Sequence, residues 1–173
     1  LEFRRVLFRS DLKPAHVYTL GGFPDWMSLA GDALWISNSP KKTVHRIDPA
    51  KDEIAAAIDM PGKPCSNLAA GFGSLWVPLC GDTPALARID LKTNQITQTI
   101  AATPADSEGG ITVSPDSVWM VTDQAGTLAR IDPKTNAVRA KVQLPAGAVN
   151  PLYEDGIVWV TRSEEHTSEL QSR

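Results

Sequence analysis

Residues 72–94 read FGSLWVPLCGDTPALARIDLKTN, and two parts of this stretch recur along the chain. A tryptophan flanked by apolar residues returns at spacings of 41, 43 and 40 residues, at Trp35, Trp76, Trp119 and Trp159. The tripeptide Arg-Ile-Asp returns at a spacing of 42 residues, starting at Arg46, Arg88 and Arg130. Two independent markers with one period indicate a repeated structural unit of about 40 residues.

The unit is predicted to consist of four short β-strands. A strand of small residues leads through a turn rich in Gly, Asp and Pro into the tryptophan strand, and a third strand ends in the Arg-Ile-Asp marker. The next turn ends in a residue that tolerates the left-handed conformation of a bulged hairpin, at Asp52, Asn94 and Asn136. The fourth strand alternates, as in residues 96–100, which is typical of a half-exposed outer strand.

Four strands in each repeat predict an all-β fold, specifically a β-propeller fragment of about 3.5 four-stranded blades. The blades are predicted at residues 21–61, 62–104 and 105–145, and the start of the next blade at 146–161. Residues 11–20 are interpreted as the outer strand of a preceding unit. One blade cannot bury both of its faces, so the tryptophans are expected in the seams between blades. A β-sandwich has a similar strand density, but it does not require a strict period.

Both ends of the chain are interpreted as non-native extensions. Residues 1–10 (LEFRRVLFRS) and residues 162–171 (RSEEHTSELQ) can be encoded by opposite strands of one DNA string, as expected for read-through of a sequencing adapter. We therefore assign 1–10 and 162–173 to adapter-like extensions and the partial propeller to 11–161. The alternative is a basic arm and an acidic helix that belong to the protein.

The charge of the repeat segment disfavours polyanionic partners. The chain has 17 Lys+Arg and 20 Asp+Glu, and the two ends hold five basic and four acidic residues, so residues 11–161 keep 12 and 16 and a formal charge of −4. A mildly acidic segment without basic runs argues against nucleic acid or an anionic membrane surface as partner. No apolar run reaches the roughly 18 residues of a membrane-spanning helix.

The repeat resembles the YVTN-repeat propellers, which include YncE-like periplasmic proteins and virginiamycin B lyase-like proteins. The resemblance rests on the tryptophan strand and on the following Arg-Ile-Asp-Pro-x-Thr-Asn segment, which residues 130–136 match as RIDPKTN. It covers residues 11–161 and is strongest over 62–161. It implies about seven blades, an exported location and a ligand funnel at one face, so half of the ring would lie outside this chain. In the lyase branch it implies a metal-assisted site with His and Glu on later blades, so no catalytic residue, metal ligand or cofactor is assigned here.

Loops on one face of the predicted propeller differ between blades, whereas the strands repeat. Residues at the entrance to the innermost strands on that face are predicted to form the funnel rim, at Asp25, Trp26, Asn67, Glu108 and Asn150. A mixed polar and aromatic rim could bind a small ligand or peptide. Alternatively, these residues only cap loops and order water in the channel. His45 and the Arg-Ile-Asp markers are interpreted as structural.

The two cysteines are symmetric about the turn between Phe72 and Gly73. Cys65 and Cys80 should therefore face each other across a strand pair, or lie close to that arrangement. A disulfide there would tie two loops at the funnel face, contribute about 3 kcal/mol of stability and indicate an oxidising compartment. The alternatives are two buried free thiols, or half of a metal site that has no nearby His.

The sequence thus predicts a periplasmic or secreted binding or scaffold propeller with a small molecule, peptide or protein at the funnel face. The alternative is an enzyme, either a metal-assisted lyase or a quinoprotein-dehydrogenase-like protein, with its catalytic residues on blades outside this chain. A His and Glu pair at the funnel of those blades would distinguish the two functions.

Overall fold

The structure, a computed structural model, describes residues 3–5, 16–105 and 110–163. These residues form strands and turns without a helix, so none of them provides a helix long and apolar enough to cross a membrane. The prediction of an all-β chain is confirmed for the described residues.

The described residues form 17 strands. In chain order they are β1 Phe3–Arg5, β2 His16–Tyr18, β3 Pro24–Ala30, β4 Ala33–Asn38, β5 Thr43–Asp48, β6 Glu53–Asp59, β7 Lys63–Pro64, β8 Ala69–Gly71, β9 Ser74–Cys80, β10 Ala85–Asp90, β11 Ile96–Ile100, β12 Ile111–Val113, β13 Val118–Val121, β14 Thr127–Asp132, β15 Ala137–Gln143, β16 Ala148–Glu154 and β17 Ile157–Arg162.

The strands pair into sheets as the repeat predicts. Strands β3 to β6 and β12 to β15 form two antiparallel four-stranded meanders, here called the first and third blades. The second blade has the order β11-β10-β9, and its innermost strand is split into β7 and β8, which both pair with β9. Strands β16 and β17 form the first hairpin of a fourth blade. Three full blades and half of another confirm the predicted fragment of a β-propeller.

The short strand β2 lies next to the first blade. It pairs with β1, whose residues fall inside the predicted N-terminal extension. Tyr18 and Leu20 are buried against Ile36 and Ile47 of the first blade, on the face that points away from the second blade. Residues 11–15 lie outside the described residues, so the interpretation of residues 11–20 as the outer strand of a preceding unit stays a prediction.

The outer hairpin of each blade has the predicted bulge. The pairing register shifts after Arg46, Arg88 and Arg130, inside the marker of each blade. The last turn residues have positive φ angles of 56°, 59° and 55°, at Asp52, Asn94 and Asn136. The carboxylate of the marker also closes its own turn, as at Asp90, where Oδ1 accepts hydrogen bonds from the backbone N–H of Lys92 (3.0 Å) and Thr93 (2.8 Å).

The core lies in the seams between blades. Trp35 is fully buried in a cluster that joins the first and second blades, and Trp76 is fully buried in a cluster that joins the second and third. Each indole N–H donates to a backbone carbonyl five residues earlier, Trp35 to Ala30 at 3.1 Å and Trp76 to Gly71 at 3.2 Å. Trp159 on β17 is 60% exposed, because no described blade packs on that face.

The innermost strands differ most from the prediction. In the first blade the innermost strand begins at Pro24, and its pairing register shifts before Met27. In the second blade the single innermost strand that the repeat predicts is divided into β7 and β8, which are separated by residues 65–68. Both differences arise because residues bulge out of the pairing between strands. The sequence of a small-residue strand does not predict where such a bulge occurs.

Candidate functional site

The predicted rim residues can be placed by their register against the tryptophans. Ser28, Ala69, Thr112 and Leu152 are the direct cross-strand partners of the four tryptophans. Two residues before these partners stand Trp26, Asn67, Gly110 and Asn150. Three of the predicted rim residues are thus strictly equivalent, and Asp25 precedes one of them. Glu108 lies outside the described residues.

The innermost strand is irregular at this position in three blades. The register shifts between Pro24 and Met27 in the first blade, and between Val149 and Pro151 in the fourth. In the second blade the strand breaks between β7 and β8. A bulge breaks the regular alternation of side chains between the two faces of a strand, so the orientation of these residues is set by their local contacts.

Asn67 links the innermost strands of the second and third blades. Its Nδ2 donates to the carbonyl of Ile111 at 2.8 Å, and its Oδ1 accepts the N–H of Ile111 at 2.9 Å. A Cβ atom at Gly110 would lie 3.0 Å from Asn67 Oδ1 and 2.9 Å from Asn150 Oδ1, so a larger residue would crowd both amides. The structure therefore brings Asn67, Gly110 and Asn150 together and uses the amide of Asn67 as a clamp.

Asn150 has a different environment from Asn67. It is exposed and has a φ of 41°, the left-handed conformation that Asn adopts more readily than most residues. Its side-chain amide forms no hydrogen bond with the described residues, so both the donor and the acceptor remain available at the rim.

In the first blade the predicted rim residues are Asp25 and Trp26. Asp25 is exposed, and Trp26 is half-buried against the core of the first seam. The buried Ser37 fixes the bulge, because its Oγ accepts the N–H of Trp26 at 3.2 Å and donates to the Trp26 carbonyl at 3.4 Å. Ser37 was not predicted from the sequence, although it stands where the second blade has Pro78.

Asn38 is a second residue that the sequence analysis missed. It is fully buried, its Nδ2 donates to the Gly21 carbonyl at 2.8 Å, and its Oδ1 accepts the N–H of Phe23 at 3.2 Å. The loop that leads into β3 is therefore held against the end of β4. The only sequence signal was an Asn in place of the Leu79 of the second blade.

The predicted disulfide between Cys65 and Cys80 is confirmed, with the two Cα atoms 5.7 Å apart. The two cysteines lie close to the symmetric arrangement but are not direct cross-strand partners. Lys63 pairs with Cys80, and the N–H of Cys65 donates to the carbonyl of Pro78 at 3.2 Å, so the disulfide runs diagonally across the pair. The break in the innermost strand shifts the register by two residues and causes this offset.

The imidazole of His45 lies in the third strand of the first blade and is buried, as the structural interpretation requires. Burial lowers its pKa, and the charge of Lys41 lowers it further. No group of three His, Cys, Asp or Glu side chains in the described part of the chain could hold a metal ion.

A cleft of about 740 Å³ lies at the opposite strand ends from the rim. It is bounded by the turns after β3 and β8 and by the turn after β10, with Arg46, Phe72 and Lys92 among its lining residues. Sequence comparison of the blades did not single it out, because it forms between blades rather than within one.

The fold is similar to those of solved β-propeller proteins. Hydrazine synthase from Kuenenia stuttgartiensis matches with a TM-score of 0.66 and 15% identity over 82% of this chain and 43% of its own. BamB from Moraxella catarrhalis matches with a TM-score of 0.63 and 14% identity over 87% and 46%. The dihydro-heme d1 dehydrogenase NirN in complex with DHE matches with a TM-score of 0.63 and 15% identity, over 88% of this chain and 35% of its own.

These similarities show the fold alone. The chain spans less than half the length of each of these three proteins. No protein-family model matches the sequence, and no curated protein matches it. The chain is therefore a β-propeller chain, and its resemblance to the YVTN-repeat family stays a prediction.

Proposed function

We propose that this chain belongs to an exported β-propeller protein that binds a small molecule, a peptide or a partner protein at the rim of its innermost strands. One observation carries the proposal. The tryptophan and Arg-Ile-Asp positions repeat between blades, whereas the bulged rim position holds Trp26, Asn67, Gly110 and Asn150 in turn. Variation of loop residues on a repeated scaffold is typical of a binding surface.

The rim combines fixed backbone with free polar groups. Ser37 fixes the first-blade bulge, Asn67 joins the second and third blades, and a disulfide ties the second-blade loops. Within the described residues the amide of Asn150 is unused, and the carboxylate of Asp25 is exposed. A preorganised support with unpaired donors and acceptors lowers the entropic cost of binding a polar ligand.

The chemistry of the rim favours a ligand with hydrogen-bond donors. Asp25 only accepts hydrogen bonds when ionised, Asn150 can both donate and accept, and Trp26 adds a half-buried aromatic ring. A peptide backbone or an amine-bearing small molecule meets these requirements. The described residues supply no metal cluster at this rim, and the proposed function needs none.

The proposed compartment is the periplasm or the cell exterior. Disulfides persist in oxidising compartments and are rare in the cytosol, and Cys65 and Cys80 are joined within one blade. Protein purified without reductant from an oxidising host should show no free thiol when it is alkylated and weighed by mass spectrometry. Two labelled cysteines would contradict both the compartment and the bridge.

The binding function can be tested by thermal unfolding of the full chain against a panel of tripeptides and small amines. A ligand of the rim should raise the melting temperature of the wild type and lose this effect in the Asp25→Ala/Asn150→Gly double variant. Glycine at position 150 keeps the positive φ accessible, so the variant removes the amide without straining the backbone. A matched control is Asp155→Gly, in the turn at the other end of the same hairpin, because Asp155 also has a positive φ, of 47°, which glycine adopts without strain.

Two results would count against the proposal. One is a panel in which no compound shifts the melting temperature. The other is a ligand whose effect is the same in the wild type and the double variant, since that ligand would bind elsewhere. A shift produced by divalent metal ions alone would instead favour the enzyme alternative.

A further inference from the structure

Three arginines occupy the same place in three successive blades. Arg46, Arg88 and Arg130 begin the Arg-Ile-Asp markers, and each is the direct cross-strand partner of the tryptophan in its own blade. Their side chains therefore start on the same face as the indole, towards the next blade. What differs is what each guanidinium contacts.

The guanidinium of Arg88 is fully engaged. It lies over the Trp76 ring, 4.7 Å from the centroid, and its Nε donates to Ser74 Oγ at 2.8 Å. Its Nη1 crosses the seam to the third blade, where it donates to the Pro133 carbonyl at 2.6 Å and to Asn136 Oδ1 at 2.9 Å.

Arg130 is also engaged, within its own blade. It lies over Trp119 at 5.5 Å from the ring centroid, and its Nε donates to Ser117 Oγ at 2.6 Å. Its Nη2 forms an ion pair with Asp116 Oδ2 at 2.7 Å. In both blades a serine two residues before the tryptophan holds the Nε.

Arg46 has none of these partners. Ala33 stands at the position of the two serines, two residues before Trp35. Among the described residues Arg46 forms no hydrogen bond, ion pair or ring contact. The counterpart of the acceptor that Arg88 uses is Asn94 Oδ1, which is buried and has no hydrogen-bond partner. The bridge that closes the second seam is therefore missing from the first.

A cleft extends from the position of the missing bridge across the end of the second blade to Arg88 and Asn136. The space of about 740 Å³ at this end of the first seam is lined by Arg46, Phe72, Leu91 and Lys92, among others. Phe72 is 38% exposed, and Leu91 is half-buried against the core of the first seam, so they supply an apolar wall. The cleft thus combines a half-buried free guanidinium with an apolar surface.

The net charge of the residues that line the cleft determines which ligand charge it favours. Its lining includes the cations Arg46, Arg88 and Lys92 and the carboxylates of Asp32 and Asp90, which leaves one surplus positive charge. The carboxylate of Asp90 is occupied by the N–H groups of its own turn, and Arg88 is occupied by the third blade. A monoanion matches this balance better than a polyphosphate, whose further charges would face the two carboxylates.

We propose that this cleft binds a small monocarboxylate with an apolar body, held by the guanidinium of Arg46. The planar fork of a guanidinium matches the two oxygens of a carboxylate, and a bidentate pair of charge-assisted hydrogen bonds is both strong and directional. The apolar body packs on Phe72 and Leu91. This site lies at the opposite strand ends from the proposed rim, so it does not depend on the proposed function.

The test uses benzoate as the probe, with neutral benzamide as its matched control, and titration calorimetry on the full chain. Benzoate should bind saturably and benzamide should not. Arg46→Ala should weaken benzoate binding about 10- to 100-fold, the usual effect of losing hydrogen bonds to a charged group. Arg46→Lys should retain part of the affinity, because it keeps the charge and loses the fork.

A gain-of-partner variant makes the test sharper. Ala33→Ser restores the hydroxyl that holds the Nε of Arg88 and Arg130, so it should draw the guanidinium of Arg46 to the strand and weaken benzoate binding several-fold. Ala33 is buried, as are Ser74 and Ser117 at the equivalent positions. A hydroxyl adds little volume there, so the Ala33→Ser variant should keep the fold. The rim double variant Asp25→Ala/Asn150→Gly should bind benzoate like the wild type.

Three outcomes would overturn the proposal. Equal binding of benzoate and benzamide would show that charge is not recognised. Unchanged benzoate binding by Arg46→Ala would place the ligand elsewhere. Absence of benzoate binding, together with a loss of melting temperature in Arg46→Ala as large as that in Arg88→Ala, would show that Arg46 bridges the seam to Asn94 as its counterpart bridges to Asn136.

Discussion

Two tryptophans at the same position of the repeat have opposite surroundings. Trp76 is fully buried in the seam between the second and third blades, beneath the guanidinium of Arg88. Trp159 is 60% exposed on β17, and Leu152 and Ile157 on the same face are 61% and 52% exposed. The strands that carry the two indoles have the same pattern, so the burial of each indole is provided by the following blade and not by its own.

The closed seam and the open face therefore separate two contributions to stability. Hydrogen bonds between strands and the closing of turns occur inside each blade, and they are present in both regions. Removal of apolar surface from water, worth about 25 cal/mol per Å², occurs only where two blades meet. Substitutions at equivalent positions in the two regions should consequently have unequal effects on the free energy of unfolding.

The largest difference is expected between the two indoles themselves. Trp76→Ala should lower the free energy of unfolding by about 3–5 kcal/mol, because it empties the centre of the seam and leaves Arg88 without its ring. Trp159→Ala should change it by less than about 1 kcal/mol. Urea unfolding of the full chain at low protein concentration measures both, and equal losses would contradict the role of the neighbouring blade.

The disulfide gives the next effect. The double variant Cys65→Ser/Cys80→Ser should lose about 3 kcal/mol, since the bridge closes a loop with a sequence separation of 15. This bridge lies inside the second blade, so the loss should be similar in the Trp76→Ala background. A loss that disappears in that background would mean that the bridge acts through the seam.

Asn67 and Asn150 form a smaller matched pair at the rim. Asn67→Ala should cost about 1–3 kcal/mol, because it leaves the N–H and carbonyl of Ile111 without their partners. Asn150→Gly, on the side of the open face, should be close to neutral. Urea unfolding is again the measurement, and a neutral Asn67→Ala would show that water replaces the amide without penalty.

The smallest effect concerns the pH dependence of stability through Asp90. Hydrogen bonds from the N–H groups of Thr93 and Lys92 lower the pKa of Asp90 below its usual value of 3.8. A lowered pKa in the folded state stabilises the protein above pH 4, and this contribution is lost as the pH falls through the folded value. Asp90→Asn keeps an acceptor without the charge, so its melting temperature should fall less steeply below pH 4 than that of the wild type. An identical slope would show that the charge of Asp90 is immaterial.

The fold could be read from the sequence because its determinants are local and repeated. The Trp and Arg-Ile-Asp positions predict which strands pair, and Asn94 predicts a left-handed turn residue. Strand pairing within a blade and turn conformation both depend on near neighbours in the chain. The cysteine pair was also accessible, because a hairpin folds residues symmetrically about its turn. The diagonal offset was not, since the break after Pro64 has no residue signature.

The candidate sites were less accessible because they depend on contacts between blades. Asn67 was predicted for the rim, but the backbone groups of Ile111 that engage it lie 44 positions away in the chain. The isolation of Arg46 follows from Ala33, a small residue that carries no functional signal by itself. The absence of a hydroxyl at Ala33 becomes informative only through the contacts of Ser74 and Ser117, which hold the Nε atoms of Arg88 and Arg130.

The side-chain amide of Asn67 takes the place of a backbone peptide group. It donates one hydrogen bond to Ile111 and accepts one from it, as a paired residue on a neighbouring strand would. It recognises only main-chain atoms of the next blade, so the residue at position 111 can vary without loss of the contact. Two adjacent blades joined in this way need a matching backbone position at the contact, but not a particular side chain. A repeat architecture can thus exchange or duplicate modules while the chemistry at its rim diverges.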